Sequence, residues 1–185
     1  MRVIVGITGA SGVVLGIRLV EELANRGHEV HAVVTASAWA VIRHEMGEDV
    51  KLPAGVAAHS DKDLGSPLMS SSFPVDAMVV VPCSMKTLAG MATGYADTVI
   101  VRAADTMLRM GKRLVVAPRE TPLSLSALEN MAALKRGGAV ILPPVVGYYH
   151  HPKTAADMTD FLVGKMLDVL GIENKLYERW HGSGE

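Results

Sequence analysis

Short, wholly apolar runs alternate with amphipathic stretches from one end of the chain to the other. Val3 to Ile7 is a β-branched run, and the glycine turn after it opens an amphipathic stretch that reaches about Arg26. An apolar run, a glycine turn and a helical period make a βα unit. Gly27 stands where a helix stop favours glycine. Val30 to Thr35 is the next predicted strand, and Ala36 to about Met46 the next helix. The period is lost over residues 47–75, where Pro53, Gly55, Gly65, Pro67 and Ser70-Ser71-Ser72 suggest a long connection holding one short strand. It returns with a strand from Ala77 to Val81 that ends at Pro82. Helices over Ser84 to Ala92 and Asp97 to Met110 follow, broken at Gly94. Arg113 to Ala117 is a strand, Leu123 to about Arg136 a helix and Ala139 to Leu142 a strand closed by Pro143-Pro144. Thr154 to Leu170 is the last helix, and a polar tail begins at about residue 171.

Strands without polar alternation, each followed by a helix, imply a parallel sheet covered on both faces. The expected fold is α/β: a single-domain, three-layer, Rossmann-like (flavodoxin-like) arrangement with a mostly parallel sheet, spanning 1–185. The chain shows no internal repeat, low-complexity tract or linker. Its 185 residues suit one core.

Composition narrows the function classes. Apolar residues make up 49% before the 18 glycines are counted, and aromatics only 4%, so Ala, Val, Leu, Ile and Met carry the excess. That balance fits an α/β core and also a chain that buries further surface in an oligomer. Eighteen basic against nineteen acidic residues, in no long run of one sign, leave no basic face for nucleic acid. The single Cys83 excludes an internal disulfide and a multi-cysteine zinc site. No stretch approaches the ~20 apolar residues of a membrane helix, and Met1-Arg2 leads straight into a strand, so the expected location is the cytoplasm.

In doubly wound sheets ligands bind outside the carboxyl ends of the strands, and polar chemistry collects at those ends here. In Gly6-Ile7-Thr8-Gly9-Ala10-Ser11-Gly12 a glycine turn enters a helix whose first amides attract an anion, or else Ser11 simply caps it. Pro82-Cys83-Ser84-Met85-Lys86-Thr87 places two hydroxyls and a lysine at another helix start, with Cys83 read as core. Pro118-Arg119-Glu120-Thr121-Pro122 holds a planar cation and a carboxylate between prolines, for anion binding and proton movement or as a solvated pair. Gly147-Tyr148-Tyr149-His150-His151-Pro152 carries two adjacent histidines, which point apart on an extended chain and lack a third ligand, so no metal is expected.

Taken together and in order, GITGASG, VVPCSMKTLAGMATG, RAADTMLR, LVVAPRETPLS, GAVILPPVVGYYHHP and the final RW resemble the UbiX family of flavin prenyltransferases, from Val3 to about Trp180. The resemblance implies transfer of a dimethylallyl group from dimethylallyl monophosphate to N5 and C6 of reduced FMN, without a metal. It also implies that a UbiD-type decarboxylase receives the product, and a homo-oligomer, typically a dodecamer built from trimers, with active sites shared between chains. On matching motif positions, Gly9, Ala10, Ser11, Thr35, Ser84, Met85, Lys86, Thr87 and Arg119 would bind FMN. Ser11, Glu45, Glu120 and Tyr149 would take part in catalysis. Arg102, Arg109, Tyr149, Lys165 and Trp180 would contact the prenyl donor.

Three places depart from the family pattern: the usual DNLI reads Asp97-Thr98-Val99-Ile100, Arg109 stands for a usual lysine, and Ser71 for the glycine of a usual SGSF. These changes bear on donor preference and turnover more than on FMN binding. An FMN-dependent decarboxylase of the cysteine type is the nearest rival. It would need a PxMNxxM segment where this chain reads PRETPLS. Direct decarboxylation of an aromatic acid and non-catalytic carriage of a flavin are two more distant rivals. A carrier would not need Arg119, Glu120, Tyr149 and Lys165 together.

Overall fold

A computed structural model describes residues 1–180 and 182. Six strands form one sheet in the order β3-β2-β1-β4-β5-β6, and every neighbouring pair is parallel. The strands are β1 (Arg2–Ile7), β2 (Glu29–Val34), β3 (Ala57–Ser60), β4 (Ala77–Cys83), β5 (Arg113–Pro118) and β6 (Val140–Ile141). The helices are α1 (Val13–Asn25), α2 (Ala36–Met46), α3 (Met85–Thr93), α4 (Val99–Arg109), α5 (Leu125–Arg136) and α6 (Ala155–Leu170). This is the doubly wound order, and the chain reverses its direction of travel between β1 and β4.

Two cores follow from the period-2 alternation of the strands. Val3, Val5 and Ile7 of β1, with Ala77, Val79 and Val81 of β4, pack under α1, α2 and α6. Ile4, Met78, Val80, Leu114 and Val116 face the other way, under α3, α4 and α5. Close approach explains two glycines. A Cβ at Gly16 would sit 2.5 Å from the Val81 carbonyl oxygen, so α1 lies on the sheet only because that position is bare. At Gly6 the Ile100 side chain of α4 comes as near as 3.3 Å.

Most predicted boundaries move by one or two residues, as at α4, α5 and β6, and the end of β4 moves for a physical reason. β4 was expected to stop at Pro82, yet it runs on to Cys83, with an irregularity in its pairing to β5 between Val80 and Cys83. Proline has no N–H to give a ladder, and the shift removes the need for one there. Residues 47–75 hold the expected short strand, β3, and also a 3-10 turn over Pro67–Met69. Thr35, Ser84, Thr98, Ser124 and Thr154 cap five of the helices through their side chains, each removing an orphan amide at a helix start.

The edge strand β3 is tied to β2 by more than its ladder. Buried His31 and half-buried His59 lie with Nδ1 and Nε2 2.9 Å apart. On its other side His31 Nε2 is 3.1 Å from Glu29, which also takes a 2.7 Å bond from Arg2, and Phe73 packs edge-on to the ring. Such a contact needs a lone pair on one of the two facing nitrogens, so only one of them carries a proton. Burial, and then the neighbouring His31, lower the pKa of His59, with Asp63 opposing. A depressed histidine pKa gives stability that is complete above the unfolded value of 6.5 and is lost as pH falls through the folded one. Protection of the amides of residues 57–60, taken relative to their intrinsic exchange rate at each pH, should therefore fall below about pH 6.5. His59→Gln should flatten that dependence.

Candidate active site

At the carboxyl ends of β1 to β4 the chain encloses a cavity of about 220 Å³, lined by Thr8, Gly9, Thr35, Ser37, Ser84 and Thr87, with Asp61, Lys62 and Lys86 at its wall. Its floor is set by one buried residue. Thr8 donates from its backbone and from Oγ1 to the Pro82 carbonyl, at 3.2 and 2.8 Å, and Oγ1 accepts from the Ser84 amide at 2.7 Å. The loops after β1 and β4 are thereby fastened across the switch point. Ser84 then caps α3 and bonds to the Thr87 hydroxyl at 3.1 Å. Opposite, Thr35 caps α2 and lies 3.0 Å from the Ser37 hydroxyl. The first amides of α2 and α3 have no partner within their helices, so the cavity is walled by hydroxyls and positive helix ends, a suitable seat for a phosphate and a polyol.

Gly9 is required by contact. A Cβ there would stand 2.4 Å from Ser37 Oγ and 2.6 Å from Ser37 Cβ. Ala10 is buried beside it, Ser11 is exposed, and Met85, half-buried, opens α3. Ser11 does not cap α1. That place belongs to Gly12, at φ 87 in the left-handed region with no side-chain bond, because a turn needing positive φ favours glycine. The Gly12 amide instead donates to the Glu45 carboxylate at 2.9 Å. The anion at the start of α1 is therefore supplied from within the chain, by α2.

Arg119 follows β5 and donates its amide to the Cys83 carbonyl at 3.1 Å, which sets it beside the second loop. Its Nε is buried and has no hydrogen-bond partner among the described residues. Glu120 is exposed, 4.0 Å from the Arg119 guanidinium. Burial drives the Cys83 thiol far above its ordinary range, consistent with packing rather than reactivity.

A second group gathers around Phe161 of α6. Tyr149 meets it edge-on at 5.6 Å, His150 stacks on it at 4.5 Å, and Lys165 Nζ lies 5.6 Å from its centre. Trp180 meets Tyr149 at 6.2 Å, and the two line a hollow of about 210 Å³ with His151 and Arg179. Burial opposes the charge of Lys165, but the Tyr177 and Tyr149 hydroxyls outweigh it and raise its pKa. Both ring nitrogens of His150 are buried without a hydrogen-bond partner among the described residues. Arg102 and Arg109 stand apart on α4. They share Asp105, at 3.4 and 2.9 Å, and line neither cavity.

Asp61 went unnoticed in the sequence, and Ser37 stood out only as the end of the Thr35–Ser37 loop. Asp61 follows β3, is buried and accepts from the Ile100 amide at 3.0 Å. Burial raises its pKa against that bond and the nearby lysines. Its signal was available only as a polar residue after a strand end, and that strand lay inside an irregular segment. Among the described residues no three His, Cys, Asp or Glu side chains converge as a metal site.

Relatives of known sequence and structure decide the family. The profile of the family described as Flavoprotein matches residues 1–180. A flavin prenyltransferase UbiX of Alkalihalophilus pseudofirmus is 45% identical, over 95% of this chain and 94% of its own. Another, from Thermoplasma acidophilum, is 42% identical over 97% and 100%. This chain belongs to the UbiX family of flavoproteins. A UbiX crystal structure in complex with FMN and dimethylallyl pyrophosphate superposes with a TM-score of 0.93 at 41% identity, covering 99% of this chain and 98% of that one. The dodecameric FMN-dependent UbiX-like decarboxylase of Escherichia coli O157:H7 gives 0.94 at 42%, covering 98% and 100%. The peptidyl-cysteine decarboxylase EpiD, at 0.61 and 16% identity over 79% and 82%, shares the fold alone.

The residues present fit FMN: Gly9 leaves the necessary space, hydroxyls and helix starts suit its phosphate and ribityl chain, and Arg119 Nε awaits a partner. Gly9→Ala should lower FMN affinity about tenfold or more while the thermal midpoint changes little. Ser37→Gly in the same chain should restore part of it. Flavin fluorescence titration and a melting curve check both expectations.

Proposed function

We propose that this protein transfers a dimethylallyl group from dimethylallyl monophosphate to N5 and C6 of reduced FMN, and passes the prenylated FMN to a UbiD-type decarboxylase. The observation that carries this reading is the pairing of the glycine- and hydroxyl-lined cradle with a second cluster, Tyr149, Lys165 and Trp180, which a flavin carrier does not need. Reduced FMN supplies the nucleophilic N5 and C6; the chain supplies position, charge and dryness.

Gly9, Ala10, Ser11, Thr35, Ser84, Met85, Lys86, Thr87 and Arg119 hold the flavin in this reading, with Ser11 next to N5. Lys165 and the Tyr149 hydroxyl bind the donor phosphate and support its departure as charge develops on its bridging oxygen. Trp180 and Tyr149 cover the allylic group and exclude water. Glu45 and Glu120 accept protons released as the new bonds form, Glu45 from a carboxylate already fixed by the Gly12 amide. The His150 stack on Phe161 holds the turn that carries Tyr149.

Assembly gives Arg102 and Arg109 their part. Lining neither cavity of their own chain, they would reach the donor phosphate of a neighbouring copy in a homo-oligomer, proposed as a dodecamer. Exposed Leu123, Leu125, Leu128, Val145 and Tyr148 offer apolar surface for such contacts. No helix among the described residues is long and apolar enough to cross a membrane, which supports a cytoplasmic place of work.

The test is the mass of the flavin released after anaerobic reduction with FMN and dimethylallyl monophosphate. A gain of one five-carbon unit is expected. Unchanged FMN with both the monophosphate and the diphosphate would refute the activity. Glu45→Gln and Tyr149→Phe should each slow turnover about tenfold or more with FMN still bound. Full-speed turnover in both variants would remove the two residues from the catalytic set.

A further inference from the structure

Asp168 lies on α6 one turn beyond Lys165, and its carboxylate gathers most of the segment that follows the helix. Asn174 Nδ2 donates to Oδ1 at 2.8 Å, and Arg179 Nη2 to the same oxygen at 2.6 Å. Tyr177 donates its hydroxyl to Oδ2 at 2.6 Å, and Arg179 Nη1 reaches that oxygen at 3.2 Å. Hydrogen bonds to an ionised acceptor are about twice as strong as neutral ones, so a single side chain fixes residues 174–179.

The fastening has a fitted seat. The Tyr177 ring fills the notch left by Gly164, where an added Cβ would stand 2.6 Å from its Cδ1 and 2.8 Å from its Cε1. The same ring packs edge-on to Phe161 at 5.1 Å, and Lys165 Nζ lies 5.1 Å from its centre. Because the Tyr177 hydroxyl is held by Asp168, the ring that packs beside the Lys165 ammonium is fixed in place. Beyond it the Arg179 guanidinium lies 5.4 Å from the Tyr177 ring centre, and the next residue, Trp180, closes on Tyr149.

We propose that Asp168 is a positioning residue for donor binding: through Tyr177 it aims Lys165, and through Arg179 it holds Trp180 over Tyr149. This rests on the reading of Tyr149, Lys165 and Trp180 as the donor pocket. The FMN cradle is built from the loops after the strands and does not touch the Asp168 network. Loss of the carboxylate therefore acts on the donor and spares the flavin. An ordinary tail anchor would instead lower stability and affect both ligands alike.

The experiment uses the full chain carrying Trp39→Phe, which leaves Trp180 as its one tryptophan. Acrylamide quenching of Trp180, FMN affinity and donor-dependent prenylation are measured for Asp168→Ala, Asp168→Asn, Gly164→Ala and Tyr177→Phe. Asp168→Ala and Gly164→Ala should raise KM for dimethylallyl monophosphate about tenfold or more. FMN affinity should stay within about twofold, and Trp180 should become more accessible to quencher. Asp168→Asn, which keeps an acceptor without the charge, should fall between wild type and Asp168→Ala. Tyr177→Phe should raise KM with Trp180 quenching nearly unchanged, separating the two arms. If Asp168→Ala fails to fold, the asparagine and phenylalanine variants carry the test.

An unaltered KM in the variants of a wild type that turns over overturns the positioning role alone. So does a parallel loss of FMN affinity. A wild type that binds FMN but prenylates nothing overturns the donor-pocket reading and this role with it.

Discussion

The site depends first on the buried Thr8 hydroxyl. Oγ1 donates to Pro82 and accepts from Ser84, joining the two loops on either side of the point where the sheet reverses. A crevice between diverging chains is a place where a ligand can enter, but its walls are independent loops unless something couples them. Here Thr8 does so, through its backbone amide as well as its hydroxyl, and the hydroxyl alone holds the Ser84 amide at the start of α3. Replacing the hydroxyl by a methyl group of similar size would leave the Pro82 carbonyl its bond from the Thr8 amide but the Ser84 amide without an acceptor, at a cost of about 1–3 kcal/mol for such a group.

The cradle and the donor pocket are built on different physical grounds. The cradle uses strand ends, glycine clearance and short hydroxyl side chains, all of them rigid and locally specified. The proposed donor pocket uses long side chains from α6 and a segment beyond it, which is bonded to the Asp168 carboxylate and seated in the Gly164 notch. Long side chains lose more conformational entropy on ordering than short ones. Aromatic packing around Phe161 offsets that loss and leaves the ammonium of Lys165 beside the Phe161 and Tyr177 rings.

Legibility in the sequence followed the same division. The strands and helices were readable because each is a local pattern: β-branched runs, helical periods, and a Ser or Thr at five helix starts. Gly9 and the Ser84–Thr87 segment were readable because glycine and hydroxyls at a strand end have few other uses. What escaped was set by tertiary contact. Thr8 was one polar residue in a glycine loop, and its partners stand 74 and 76 positions away. Asp61 lay in the irregular stretch after β2, where period gave no guide. Ser11 looked like a cap, but the positive φ required at the turn gave that place to Gly12. The passage of β4 through Pro82 was hidden because a shifted ladder, not the proline itself, decides whether a strand can continue.

Glu45 shows how a correction can sharpen a functional reading. A glycine loop entering a helix predicts an anion at the helix start, and the natural expectation is the ligand's phosphate. The structure places a carboxylate there instead, held by the Gly12 amide. A carboxylate at a positive helix end satisfies the orphan amide that a ligand anion would otherwise take, and it directs Glu45 at the loop that carries Ser11. The phosphate is left to the α2 and α3 starts, where hydroxyl caps and unpaired amides remain. In the proposed function, a proton acceptor beside Ser11 and a phosphate seat across the cavity suit a flavin whose ring, rather than its phosphate, is the reacting end. On that reading the two helix-start environments would orient the cofactor before any contact with its ring is considered.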